Sequence, residues 1–186
     1  MSRTVVVFVW GVRRIRIPQA LLLTALWQLA RRGRRAPQFG KALGTGSGMT
    51  FTLRDSDPRH WALLTVWPDA AQAEEFEAHW LVRAWNRASD ERLRVTMHPV
   101  SARGSWSGTS PLAPTPNGPR RAGQHDSDSP AIAAITRARV KPRYWRTFAR
   151  SVPPVSTDLH AHAGPIFALR SEEHTSELQS RVDISY

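Results

Sequence analysis

The 186-residue sequence predicts an α+β fold, specifically a ferredoxin-like βαββαβ unit. Three observations carry this. Two uncharged apolar runs, Thr4 to Trp10 and Trp61 to Trp67, have the composition of strands covered on both faces. Each is followed by a stretch with helical spacing and helix-start chemistry. Between them, Phe39 to Phe51 begins as a strand and then places Gly44, Gly46 and Gly48 at alternate positions. There the backbone can turn sharply and approach a neighbour with no Cβ in the way.

Taken in order, the first strand gives way to Arg13, Arg14 and Arg16, which mark a solvated connection. Pro18 suits a first helical turn. Leu22, Ala25, Leu26 and Leu29 share one face of a helix that Gly33 stops. Arg31, Arg32, Arg34 and Arg35 cluster at its C-terminal end, where positive charge complements the helix dipole. Contact with a membrane surface is the sharper reading of the same cluster.

The glycine-rich stretch supplies a second strand and a turn. Its G-x-G-x-G run leads to Phe51, Asp55 and Pro58 and opens no helix, so it is not a dinucleotide fingerprint. Nor is it a P-loop, because Ala42 follows Lys41 and the glycines come after the lysine. A glycine-rich hairpin between two strands is the plain alternative. Pro68 ends the third strand. Asp69 then caps a helix from Ala70 to about Ala88, with Gln72 at N3 and Phe76, Trp80 and Ala84 facing inward. Leu93, Val95 and Met97 alternate with Arg94, Thr96 and His98, giving the fourth strand.

Residues 1–110 therefore form the first unit. Residues 111–130 are Pro, Ser, Thr and Gly with almost nothing apolar, a linker or long loop. Residues 131–169 weakly echo the opening and read as the incomplete start of a second ferredoxin-like repeat: Ile132 to Val140 is strand-like, Tyr144 to Arg150 opens a helix, and Gly164 to Leu169 begins another strand. From Arg170 to Ser180 the run Arg-Ser-Glu-Glu-His-Thr-Ser-Glu-Leu-Gln-Ser resembles a translated sequencing adapter. Residues 170–186 are accordingly expected to be a non-native tail outside the fold.

Cysteine is absent, which excludes disulfides, thiolate haem and Cys-based metal sites. No apolar run nears the roughly 20 residues of a membrane span, and the first residues lack signal-peptide character, so the expectation is a cytoplasmic protein, peripheral to a membrane at most. A formal charge of +11 raises nucleic acid as a partner. The charge is nearly all arginine and no nucleic-acid motif accompanies it, which argues against that class.

Four motifs in order resemble the spheroidene monooxygenase family of carotenoid ketolases. They are Lys41-Ala-Leu-Gly44-Thr-Gly46-Ser-Gly48 through Phe51, the corner Trp67-Pro68-Asp69, Pro99-Val100-Ser101-Ala102-Arg103-Gly104-Ser105-Trp106-Ser107-Gly108 to Pro111, and Ile135-Thr136-Arg137-Ala138. The resemblance implies a haem-containing, dioxygen-using enzyme that oxidises an acyclic carotenoid such as spheroidene, with an electron donor such as ferredoxin. It also implies that two ferredoxin-like halves pair as in a dimeric α+β barrel. Family members continue past Leu169, so the chain is expected to be an inactive N-terminal fragment. The alternative is a non-catalytic ligand- or haem-binding protein on the same barrel scaffold.

A haem site needs an axial ligand, partners for the propionates and an apolar wall. With no Cys, His98 and His79 are the ligand candidates, although His79 reads more readily as a surface helical residue near Glu75 and His98 as the cap of a strand end. Lys41 and Arg103, flanking glycines, are candidates for anion contacts or else solvated charges. Gly44, Gly46 and Gly48 would allow close approach, and Trp67 and Trp106 would be either flat walls or core aromatics. His160 and His162 lack a third ligand and read as loop residues. Ser101 has neither a nucleophile elbow nor triad partners.

Overall fold

The computed structural model describes residues 3–33, 35–46, 56–106, 108–114, 142–144 and 170–172. Its strands are β1 (Thr4–Gly11), β2 (Phe39–Gly46), β3 (Ser56–Trp67), β4 (Glu91–Met97) and β5 (Arg170–Glu172), and its helices α1 (Ile17–Ala30), α2 (Ala70–Glu75) and α3 (Trp80–Ala88). They form one antiparallel sheet in the order β4-β1-β3-β2-β5. The first four strands thus have the ferredoxin-like order, with the two longest apolar runs, β1 and β3, paired at the centre. That placement follows from composition, because only strands covered on both faces can be apolar throughout.

One face of the sheet carries the helices. Val6, Phe8, Trp10, Leu63 and Trp67 meet Ala20, Leu23 and Trp27 of α1, Phe76, and Leu81, Val82 and Trp85 of α3. Trp10 stacks between Phe8, at 5.4 Å, and Trp85, at 5.0 Å, and its Nε1–H donates to Asn86 Oδ1 at 2.8 Å. Gly40 of β2 lies under the Trp27 ring, which fills the space a Cβ would need. The close approach anticipated for the glycine-rich stretch is therefore seen four residues before the first alternating glycine.

The inward face of α1 differs from the expected one. Ala20, Leu23, Trp27 and Ala30 are buried, whereas Leu22 and Leu29 are exposed and Ala25 faces outward. Because α1 is uncharged and its few polar residues, Gln19, Thr24 and Gln28, do not gather on one side, its periodicity favours no face, and the bulk of Trp27 against Gly40 decides the phase. Gly33 lies beyond the helix end, and among the described residues only Gly104 and Gly108 have positive φ.

The long helix expected from Ala70 to Ala88 is broken. A 3-10 turn over Phe76–Ala78 follows α2, and His79, at φ −64° and ψ 140°, is extended and caps α3. In a continuous helix Phe76 and Trp85 would point to opposite sides, since nine residues at 100° leave them half a turn apart. The break brings both onto the sheet and leaves Trp80 half exposed. The Asp69 cap is as expected: its Oδ1 accepts Gln72 N–H at 2.9 Å and its Oδ2 accepts Gln72 Nε2–H at 3.1 Å.

Strand β3 begins at Ser56, five residues ahead of the expected start. Pro58 is tolerated because β2 shifts register between Gly44 and Thr45, so the ladder to β2 is already interrupted there. Residues Arg170–Glu172, expected to lie outside the fold, pair with Gly44–Gly46 at the free side of β2. Arg3 NH1 donates to the carbonyls of Pro111 and Ala113 and so holds these residues against the first unit. Of the expected second repeat, the structure describes only a 3-10 turn at Pro142–Tyr144, and the remainder lies outside the described residues.

Candidate functional site

The sheet has a second face, away from the helices, and the strand register lays it out in rows. Phe39, Val66, Val5 and Met97 form one row across β2, β3, β1 and β4. Lys41, Leu64, Val7 and Val95 form the next, and Leu43, Ala62, Val9 and Leu93 the third. Lys41 is the charged residue of these three rows.

One end of the face is covered by residues 101–114. Trp106 is 8% exposed and packs with Leu112 on Val5, Leu64, Val66 and Phe39. Its ring centre lies 5.3 Å from that of Phe39. Trp106 and Thr109 close a short turn through reciprocal backbone hydrogen bonds, N–H to O, of 2.6 and 3.1 Å, with Gly108 at φ 75° between them. Arg103 is exposed on the same segment, beside Gly104 at φ 86°.

At the opposite end stands a cluster that sequence reasoning missed. His60 lies between two carboxylates, with Nδ1 2.6 Å from Asp57 Oδ2 and Nε2 3.2 Å from Glu91 Oε2. The bridge crosses Gly11, where a Cβ would sit 2.9 Å from Glu91 Cβ and 3.1 Å from the imidazole. Burial pulls the His60 pKa down, but the hydrogen bonds and negative charge of Asp57 and Glu91 outweigh it and leave it raised. Burial acts upward on Asp57, but His60 and the Arg59 backbone N–H hold its carboxyl below the ordinary range. The one available sequence signal was that His60 shares the alternation of Ala62 and Leu64.

The anticipated site residues divide between the two faces. Lys41 and Trp106 share the open face, with Arg103 near its covered end. Trp67 lies on the helix side, 5.0 Å from Phe76, with Nε1–H donating to Thr65 Oγ1 at 2.9 Å. Gly44 and Gly46 end β2 between β3 and β5, and Gly48 lies outside the described residues.

His79 Nδ1 accepts the Leu81 N–H at 3.3 Å while its ring stacks on Phe76 at 4.9 Å. Burial lowers its pKa, which favours the neutral ring with its proton on Nε2. In that tautomer neither nitrogen offers a lone pair to a metal. His98 is exposed at the end of β4, and its Nδ1 donates to the Arg3 carbonyl at 3.3 Å.

Among the described residues no group of three His, Asp or Glu side chains is arranged to hold a metal ion. Among the described residues, the helix side has a narrow crevice between Trp27, Trp61 and Trp85, far too small for a porphyrin. The open face fits a porphyrin in part. It offers an apolar plane, an aromatic end wall and a cation, but its histidine, His60, is held between carboxylates and provides no axial ligand.

No protein-family model matches the chain. Spheroidene monooxygenase of Cereibacter sphaeroides is 34% identical over 110 residues, which is 59% of this chain and 31% of that protein. The protein of the same name from Rhodobacter capsulatus is 32% identical over 120 residues, 64% of this chain and 47% of that one. That from Rubrivivax gelatinosus is 33% identical over 133 residues, 71% and 48% respectively. The match thus spans 31% to 48% of these relatives' length. A solved structure of a protein of unknown function from Nitrosomonas europaea superposes with a TM-score of 0.43 at 12% identity, over 57% of this chain and 98% of that one.

Proposed function

Because this chain is a relative of the spheroidene monooxygenases, we propose that it supplies one half of a carotenoid-oxidising site, with the open sheet face as the wall. The observation that carries this reading is the set of apolar rows around Lys41, ended by Trp106. A polyene is long, flat and without hydrogen-bonding groups along its chain, so a broad apolar surface is what would hold it and keep water away.

Haem is the cofactor of this proposal, and when bound it would supply the activation of dioxygen, with an electron donor such as ferredoxin delivering reducing equivalents. Lys41 would meet a propionate and Trp106 would close the edge against solvent. The iron ligand would be His98 or a histidine outside the described residues. A second ferredoxin-like unit, facing this one as in a dimeric α+β barrel, would complete the enclosure, and the half alone would be inactive.

The test is to extend the chain over the length its relatives have, add haem, and assay spheroidene with dioxygen and a reductant. A Soret band with ketolated product supports the proposal. A Soret band without turnover favours the non-catalytic haem binder, and neither band nor product ends the oxygenase reading.

A further inference from the structure

Helix α1 has no charged residue from Ile17 to Ala30. Its outward side is apolar over most of its breadth: Leu21, Leu22 and Leu29 are 55%, 58% and 62% exposed, with Pro18 and Ala25 beside them, and Ile15 just before the helix is 86% exposed. A surface helix ordinarily turns polar residues outward. Here the exposed polar residues of the helix itself are two uncharged glutamines, Gln19 and Gln28, and the charges lie at the ends. Arg13, Arg14 and Arg16 precede the helix, and Arg31, Arg32 and Arg35 follow it, all exposed.

The helix dipole accounts for the second trio and opposes the first, since the N-terminal end of a helix is already positive. The first turn holds no acidic residue to compensate. Arg13 is ion-paired with Asp90 at 3.2 Å, which offsets one of the three charges, and Arg16 NH1 donates to the Arg87 carbonyl at 2.7 Å, so the trio keeps a net positive charge. The common property of the two trios is that they bracket the exposed leucines.

We propose that this face of α1 seats the protein on an anionic lipid bilayer, with Leu21, Leu22 and Leu29 entering the interface and the two arginine trios meeting lipid phosphates. A helix lying in the interface needs an apolar stripe and cationic margins, and α1 has both. A second ferredoxin-like unit closing the open sheet face would lie on the far side of the sheet and would leave α1 uncovered. The inference requires neither haem nor carotenoid, so it stands or falls apart from the oxygenase reading.

The test is co-sedimentation of the chain with vesicles of phosphatidylcholine, with and without phosphatidylglycerol, across a salt series. Binding is expected only with phosphatidylglycerol and should weaken as salt rises. The double variant Leu22→Glu/Leu29→Glu should lose about tenfold or more in partitioning. Arg31→Gln/Arg32→Gln should lose about fivefold per arginine.

Leu93→Glu, which alters an exposed leucine on the other sheet face, should bind as the parent does, and far-UV circular dichroism should show all variants folded. Failure of the parent to bind, or equal loss in Leu93→Glu, overturns the proposal. So does a dimer that the leucine double variant converts to monomer in the absence of vesicles, because a second copy would then be the occupant.

Discussion

The indole of Trp27 occupies the space that a side chain at position 40 would need. This contact fixes how α1 sits on β2 and selects the buried side of a helix whose periodicity favours no face. Gly40→Ala is therefore expected to destabilise the unit by about 1–3 kcal/mol through overpacking, read as a lower urea midpoint. Trp27→Leu in the same chain should recover part of the loss. A Gly40→Ala variant as stable as the parent would show that the ring is not held there.

The His60 bridge makes stability depend on pH with a definite sign. Its folded-state pKa is raised, so its contribution is complete below the unfolded value of 6.5 and is lost as pH rises through the folded value. His79 acts in the opposite sense. Its folded pKa is lowered, so its contribution is present above 6.5 and is lost as pH falls through the folded value. Denaturation midpoints across this range should show His60→Gln removing the loss on the alkaline side and His79→Gln removing the loss on the acid side.

Asp57, with a lowered folded pKa, contributes above its unfolded value of 3.8 and ceases to contribute as pH falls through the folded one. Asp57→Asn should leave the acid limb of the stability curve shallower. It should also bring the His60 pKa down, which the imidazole proton resonances would report. An unchanged His60 titration would contradict the 2.6 Å pairing.

Asp69 caps α2 with Oδ1, which accepts the Gln72 backbone N–H, while Oδ2 accepts the Gln72 side-chain Nε2–H. Asp69→Ala should cost about 1 kcal/mol and Asp69→Asn much less, measured by chemical denaturation.

Trp106 ties residues 101–114 to the open face. Trp106→Ala should remove roughly 2–4 kcal/mol of packing from that segment and expose it to limited proteolysis, with little change in the helix-side core. Cleavage at an unchanged rate would mean that the Arg3 hydrogen bonds to Pro111 and Ala113 alone hold the segment in place.

The sequence made the strands legible because their signals are local. The unbroken apolar runs of β1 and β3, the alternation Leu93-Val95-Met97 and the Asp69–Gln72 cap each need only a few neighbouring residues. What stayed hidden depends on contacts across the sheet. The face that α1 buries is chosen by Gly40, and the break at His79 is chosen by the need to seat both Phe76 and Trp85.

Site residues follow the same division. Lys41 and Trp106 could be singled out from their motif, but Trp67 lies on the helix side, because alternation along β3 sends it there with Leu63. The pairing of His60 with Glu91 joins residues 31 apart through the β3–β1–β4 register, which no local pattern encodes.

The tryptophans of β1, β3, α1 and α3 gather on one side of the sheet, while Trp106 looks out on the other. A chromophore settling over Lys41 would therefore take up emission from Trp106 before it reached the buried cluster. With the remaining indoles replaced by phenylalanine where folding allows, the molecule would carry its own optical gauge of occupancy on that surface.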